Sequence, residues 1–177
     1  LIAAIIYGCV FMIPLLFMLN MGDVAKSILP FAGAGFSIGL YFLSLHLTKN
    51  SFFIAWKDSI TIMQILSLST FYLSLNYFTV RELSEELLHM ELQPGNDIPL
   101  ALLFYIATAA IPLAYTYWGL QNKNRLFFRT GLILFAVAVL TFKYYFSLGH
   151  HEITLTICGA LLTLAAYLTT RYFKINK

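Results

Sequence analysis

Six apolar runs, most of them near the length of about 20 residues that carries an α-helix across about 30 Å of hydrocarbon, constrain this chain more than any other feature. They cover 1–20, 28–47, 59–78, 99–120, 126–146 and 153–172. A helix in water turns a polar stripe outward, and these runs leave little room for one. Across the whole chain 60% of the 177 residues are apolar and 11% charged, against roughly 45–50% and about 25% in soluble domains. Barrel strands would alternate apolar and polar positions over about ten residues, and no such period is present. The expected fold is all-α: a polytopic transmembrane helical bundle of six spans, forming a single domain over 1–177 with the lipid bilayer as its solvent.

Turn-forming residues mark the limits. Met21, Gly22 and Asp23 separate the first two runs, and Lys49, Asn50 and Ser51 follow the second. The stretch from Gln93 through Pro94, Gly95 and Asn96 to Asp97 precedes the fourth run, and Gln121 to Asn124 follow it. Pro99 falls in the first turn of its helix, where a missing N–H costs little. Pro30 lies near the start of the second run, whereas Pro14 and Pro112 fall inside helices and predict kinks that membrane helices tolerate. Aromatic residues gather at run ends, as interfacial belts require: Trp56, then Tyr115, Tyr117 and Trp118, then Tyr144 and Tyr145, then Tyr172.

Orientation follows from the basic residues of the short loops. Loops 48–58 and 120–129 and the tail 171–177 hold Lys49, Lys57, Lys123, Arg125, Arg129, Arg171, Lys174 and Lys177, while the other side holds Lys26, Arg81 and Lys143. With six spans both termini are cytoplasmic, and 79–98 and 147–152 are on the outer side. The net charge of +3 is scattered at run ends rather than gathered into a stripe, so nucleic acid is not an expected partner. Cys9 and Cys158 lie inside apolar runs without CxxC spacing and read as small buried hydrophobes. The chain opens on an apolar run at Leu1, without a signal peptide's basic n-region or cleavage site. That is the pattern of the C-terminal part of a longer protein, and further helices or other membrane subunits are expected neighbours.

Polar residues inside the runs are the candidates for function. Gln64, Ser67, Thr70 and Ser74 fall within about 120° of one helix face at about 100° per residue. Interhelical hydrogen bonding is the simpler reading, and one wall of a solute path is the alternative. In the second run Gly35 and Gly39 have the spacing that lets two helix backbones approach, so a packing seam is expected there. The alternative is a helix broken at Pro30 and the glycines, with backbone open to a solute. No phosphate loop is present, because GxxxxGK is missing.

The stretch 79–92 is the strongly amphipathic one, expected as a short extramembrane surface helix between spans three and four. Thr79 and Glu82 have capping-box spacing; Val80, Leu83, Leu87 and Met90 share one face, and Glu82, Glu85, Glu86 and His89 the other. The acidic face disfavours anionic headgroups, so docking on the protein is expected. Glu86 and His89 match one copy of an ExxH metal motif whose sites need two. His150 and His151 adjoin in a short outer loop, and imidazole suits Zn and Cu. A solvated polar face and a flexible loop account for these four residues more simply, so no metal and no cofactor is expected. No Asp, Glu, Lys or Arg falls in the central half of any run; His46 and Lys143 lie near ends. Proton relays, ion-coupled transport and intramembrane hydrolysis ordinarily place ionisable groups at depth, which counts against all three.

The last two runs carry a further pattern: Arg125 to Leu132 (RLFFRTGL), Val139 to Tyr145 (VLTFKYY), Gly159 to Leu162 (GALL), and Arg171 with Tyr172. Over about residues 115 to 174 this resembles the C-terminal helices of uncharacterised bacterial multi-pass membrane protein families, known as domains of unknown function. The resemblance implies a bacterial inner-membrane location, no assigned activity and no catalytic residues to carry over. The expected function class is a non-enzymatic component for assembly, envelope support or sensing. A permease for a small uncharged solute is the second reading, and a membrane-embedded enzyme, using outer loops or a missing N-terminal part, the third.

Overall fold

In the computed structural model the described residues are 2–19, 23–49, 55–86 and 100–146, together with Gly159, Thr163 and Tyr167. They form six helices, with no strand among them: α1 (Ile2–Leu19), α2 (Asp23–Lys49), α3 (Lys57–Leu75), α4 (Tyr77–Glu86), α5 (Ala101–Gln121) and α6 (Arg125–Phe146). The all-helical expectation holds. Six spans are not supported: among the described residues three stretches are long and apolar enough to cross a membrane, Ile28–Lys49, Ala101–Gln121 and Arg125–Phe142. In α1 the described apolar stretch is the shorter Ala4–Ile13. Helix α3 carries Lys57, Asp58, Gln64 and a series of Ser and Thr, which lower its hydropathy. Of the last run, Gly159, Thr163 and Tyr167 are helical, with the Thr163 hydroxyl donating to the Gly159 carbonyl at 2.7 Å; the rest lies outside the described residues.

Helix α2 begins at Asp23, earlier than its apolar run, so Pro30 lies inside it. Helix α5 begins at Ala101, after Leu100 with φ 63°; Pro99 lies outside the described residues. Pro112 is buried inside α5.

The chain divides into two compact units, Leu1–Ala107 and Thr108–Lys177. In the first, α1, α2 and α3 pack on one another. Phe11 meets Phe36 at 5.9 Å between ring centres, and the Tyr7 hydroxyl donates to Thr70 Oγ1 at 2.9 Å. Phe31 of α2 meets Phe104 of the first turn of α5 at 5.8 Å. The α2 face turned inward is Gly33, Ser37, Leu40 and Ser44, a helical repeat of small residues around one leucine. A Cβ on Gly33 would lie 2.8 Å from Ser74 Oγ, so glycine there permits the close approach of α2 and α3.

In the second unit α5 and α6 form an antiparallel hairpin through a three-residue turn. The Asn124 N–H donates to the Gly119 carbonyl at 2.9 Å and the Lys123 N–H to Leu120 at 3.3 Å, which is a Schellman end for α5. Lys123 takes the left-handed position with φ 53°. Asn124 Oδ1 then accepts from Leu126 and Phe127 N–H at 3.0 and 3.4 Å and caps α6. Above the turn the backbones nearly touch: a Cβ on Gly119 would collide with the Phe128 backbone, and one on Gly131 would lie 2.7 Å from the Thr116 nitrogen.

The exposed surface is unlike a water-soluble protein's. Ser37, Ser44 and Thr108 are fully buried, while Ile13 is 68% exposed, Phe42 63% and Leu102 73%. Such exposed apolar side chains, with buried hydroxyls set among apolar core residues, suit lipid, where close packing and hydrogen bonds rather than apolar burial hold helices together. Trp56, Tyr117 and Trp118 are exposed near helix ends.

Candidate functional site at the Asn76 junction

Between Leu75 and Tyr77 a single residue separates two helices. Asn76 takes φ −76°, ψ 127°, an extended conformation that stops α3, and its N–H closes the last turn on the Leu73 carbonyl at 3.3 Å. Its own carbonyl accepts from the Val80 N–H at 3.0 Å, while Oδ1 accepts from the Thr79 N–H at 3.3 Å, which caps α4. Nδ2 donates to the Tyr72 hydroxyl at 2.7 Å. Asn76, Tyr72 and Tyr77 are all buried, so this polar side chain is held by partners on both helices. On the far side Arg81 donates to the Tyr77 hydroxyl at 3.0 Å, and the Tyr77 ring stacks on Tyr105 at 4.0 Å and 21°.

This corrects the start expected for the amphipathic helix. The cap is Asn76, not Thr79, and the helix begins at Tyr77. Asparagine suits that position because its short side chain reaches the third residue on. Val80 and Ser84 are buried and Leu83 is half-buried, so this face is covered within the chain. Glu86 ends α4; Leu87, His89 and Met90, like His150 and His151, lie outside the described residues. Among the described residues no group of three or more His, Cys, Asp or Glu could hold a metal. Cys9 is free and exposed.

The polar face of α3 lies against α1 and α2. Ser67 is buried and donates to the Met63 carbonyl at 2.8 Å; Thr70 donates to Leu66 at 2.6 Å and accepts from Tyr7. Ser74 faces Gly33, and Gln64 is half-buried. Gly35 and Gly39 stand on the other side of α2, exposed, with nothing within 4 Å of the Cβ each lacks. The close contact of α2 with α3 therefore runs through Gly33, against Ser74.

Two partly open cavities flank this bundle. One, of about 220 Å³, adjoins the junction and brings Thr70, Ser74, Thr79 and Ser84 together with Pro30 and Gly33. The other, of about 310 Å³, lies towards the opposite end of α3 and is walled almost wholly by apolar atoms, among them Tyr7, Leu40, Leu43, Trp56 and Met63. Gln64 and Ser67 line neither. Sequence reading missed Tyr72, Asn76 and Tyr77; the available signal was an asparagine two to three residues ahead of the amphipathic pattern.

No known family, curated protein or solved structure matches this chain. The resemblance of its last helices thus carries no family assignment. Among the described residues the fold is all-helical, with three helices long and apolar enough to cross a bilayer, consistent with a membrane location.

Proposed function

We propose that the chain is a six-span transmembrane domain of a bacterial inner membrane, with both termini cytoplasmic, and that it acts by assembly, envelope support or sensing rather than by catalysis. The observation that carries this reading is the fate of its interior hydroxyls. Those of Ser37, Ser44, Ser67, Ser84, Thr116 and Thr141 each donate to a carbonyl three or four residues back on their own helix. Groups bonded in this way have used their one donor within the helix and leave only acceptor oxygens for a solute. Gly35 and Gly39, bare of neighbours within 4 Å, are the place on α2 for close approach of a further helix or another membrane subunit.

Single-cysteine variants, in a chain lacking Cys9 and Cys158, test the topology. An impermeant reagent applied to intact cells should label positions 86 and 151 and spare 49, 123 and 174; labelling at 123 overturns the six-span arrangement. Photo-crosslinking from position 39 in native membranes should join the chain to a membrane protein or to a second copy of itself.

A second reading, passage of a small uncharged solute, is favoured by the 220 Å³ cavity with four hydroxyl residues beside Pro30. Proteoliposomes swelling faster in glycerol or urea with the chain than without it, an effect lost in Thr70→Val, would replace the first reading by this one.

A further inference from the structure

The 310 Å³ cavity has a shape and a setting that point to one occupant. It is walled by three helices, with Ile6 and Val10 from α1, Leu40 and Leu47 from α2, and Ile60 and Met63 from α3, to which Trp56 just ahead of α3 adds its ring. From Leu40 to Leu47 it follows two turns of α2, about 10 Å at about 1.5 Å per residue. Its polar lining is negligible, so water gains nothing by filling it. An enclosed apolar cavity of about 150 Å³ already takes a benzene-sized guest, and this one is larger and open along one side. Several of its walls, Ile6, Val10, Leu43 and Trp56, are exposed large hydrophobics, so the cavity is bordered by apolar surface of the kind that lipid covers.

Charge at its end decides what kind of lipid. Leu47 and Trp56 line the cavity; Lys49 lies two residues after the first and Lys57 directly after the second, both exposed. Exposed His46 sits in the last turn of α2, and exposed Asp58 in the first turn of α3 offsets one of the two lysines. The sum at neutral pH is still positive. Helix α3 begins here with Trp56 as its N-cap, and that side chain makes no capping hydrogen bond, so the first-turn N–H groups are not satisfied by it. A helix start of this kind favours negative charge. We propose that the cavity holds one acyl chain of an anionic phospholipid, with the phosphate between Lys49, Lys57 and the start of α3. The chain is thereby a receptor for one specific lipid of the leaflet on the side of Lys49 and Lys57.

Trp56 is a reporter inside the site, and only Trp118 competes with it. The full chain carrying Trp118→Phe is reconstituted in vesicles of phosphatidylcholine containing a small fraction of chain-brominated phosphatidylglycerol or chain-brominated phosphatidylcholine, and quenching of Trp56 is titrated. Brominated phosphatidylglycerol should quench at lower mole fraction, and unlabelled phosphatidylglycerol should reverse the effect. Lys49→Gln and Lys57→Gln are surface changes, and each should weaken the preference about fivefold. Val10→Phe, which fills the cavity, should weaken quenching by the anionic lipid while circular dichroism stays unchanged. Equal quenching by the two lipids in the parent chain overturns the proposal. So does the absence of quenching by either, which would mean that protein rather than lipid covers the cavity.

Discussion

Asn76 donates from its side-chain amide to the hydroxyl of Tyr72, one turn earlier, at 2.7 Å, while its side-chain oxygen caps the following helix at the Thr79 N–H. Both side chains are buried, Tyr72 completely. Replacing Asn76 by Ala removes the cap and leaves the Tyr72 hydroxyl without this donor, a combined cost of about 2–3 kcal/mol. Asn76→Ser retains a capping oxygen and should recover about 1 kcal/mol of it. Thermal unfolding in micelles, followed by circular dichroism, ranks the three proteins; equal stability of the Ala and Ser variants would remove the cap from the account.

Gly33 and Ser74 form a pair whose coupling can be measured. Gly33→Ala places its methyl 2.8 Å from Ser74 Oγ, a crowding expected to cost about 1–2 kcal/mol. Ser74→Ala removes the offending oxygen and leaves a carbon at 3.5 Å, an ordinary contact. The double variant should therefore be more stable than Gly33→Ala alone, and a double-mutant cycle should give a clear coupling energy. Gly39→Ala meets nothing within 4 Å and should be neutral or stabilising by about 0.5–1 kcal/mol through helix propensity.

The α5–α6 hairpin tolerates less. At Gly119 the nearest obstruction is the Phe128 backbone, and at Gly131 it is the Thr116 backbone nitrogen together with Thr116 Oγ1, both at 2.7 Å, so turning or removing a side chain leaves the backbone clash in place. Gly119→Ala and Gly131→Ala should each destabilise by about 3 kcal/mol, with no rescue from a second side-chain truncation. Stability of either variant within experimental error of the parent would show that the two helices separate freely.

Adjacent residues of the connecting turn should respond in opposite directions. Lys123 holds φ 53°, a conformation that costs an L side chain roughly 1 kcal/mol, so Lys123→Gly should stabilise the hairpin by about that amount. Asn124 supplies the cap oxygen for α6, and Asn124→Ala should cost about 1 kcal/mol. The sign of each shift in unfolding temperature is the readout.

Five of the six helices begin or end near limits legible from apolar runs, because run length reports directly on the solvent a helix must meet. The third run shows where that signal fails. Leu75, Tyr77 and Phe78 surround Asn76 with apolar neighbours, so one polar residue is lost in the average, although its backbone breaks the helix. A similar dilution affects the crossing count: α3 is long enough, but its hydroxyls and Gln64 make it a helix that needs partners. Small residues were visible in α2, but two faces carry them. Gly35 with Gly39 and Gly33 with Ser37 have the same spacing, and choosing between them needs the position of Ser74, which no local pattern contains. The cavity at Trp56 joins residues of three helices far apart in sequence, so periodicity within any one helix is silent about it.

The stacked pair Tyr77 and Tyr105, 4.0 Å apart at 21°, makes the docking of α4 an optical property of the protein. Two phenol rings held so close in fixed orientation couple their electronic transitions, giving a near-ultraviolet dichroic band that neither ring has alone. Arg81 bonds the hydroxyl of one ring, so a change in that guanidinium's surroundings reaches the chromophore directly. Swinging α4 away from α5 would extinguish the band while leaving helix content unchanged, and the movement of this one short helix could be followed without any attached label.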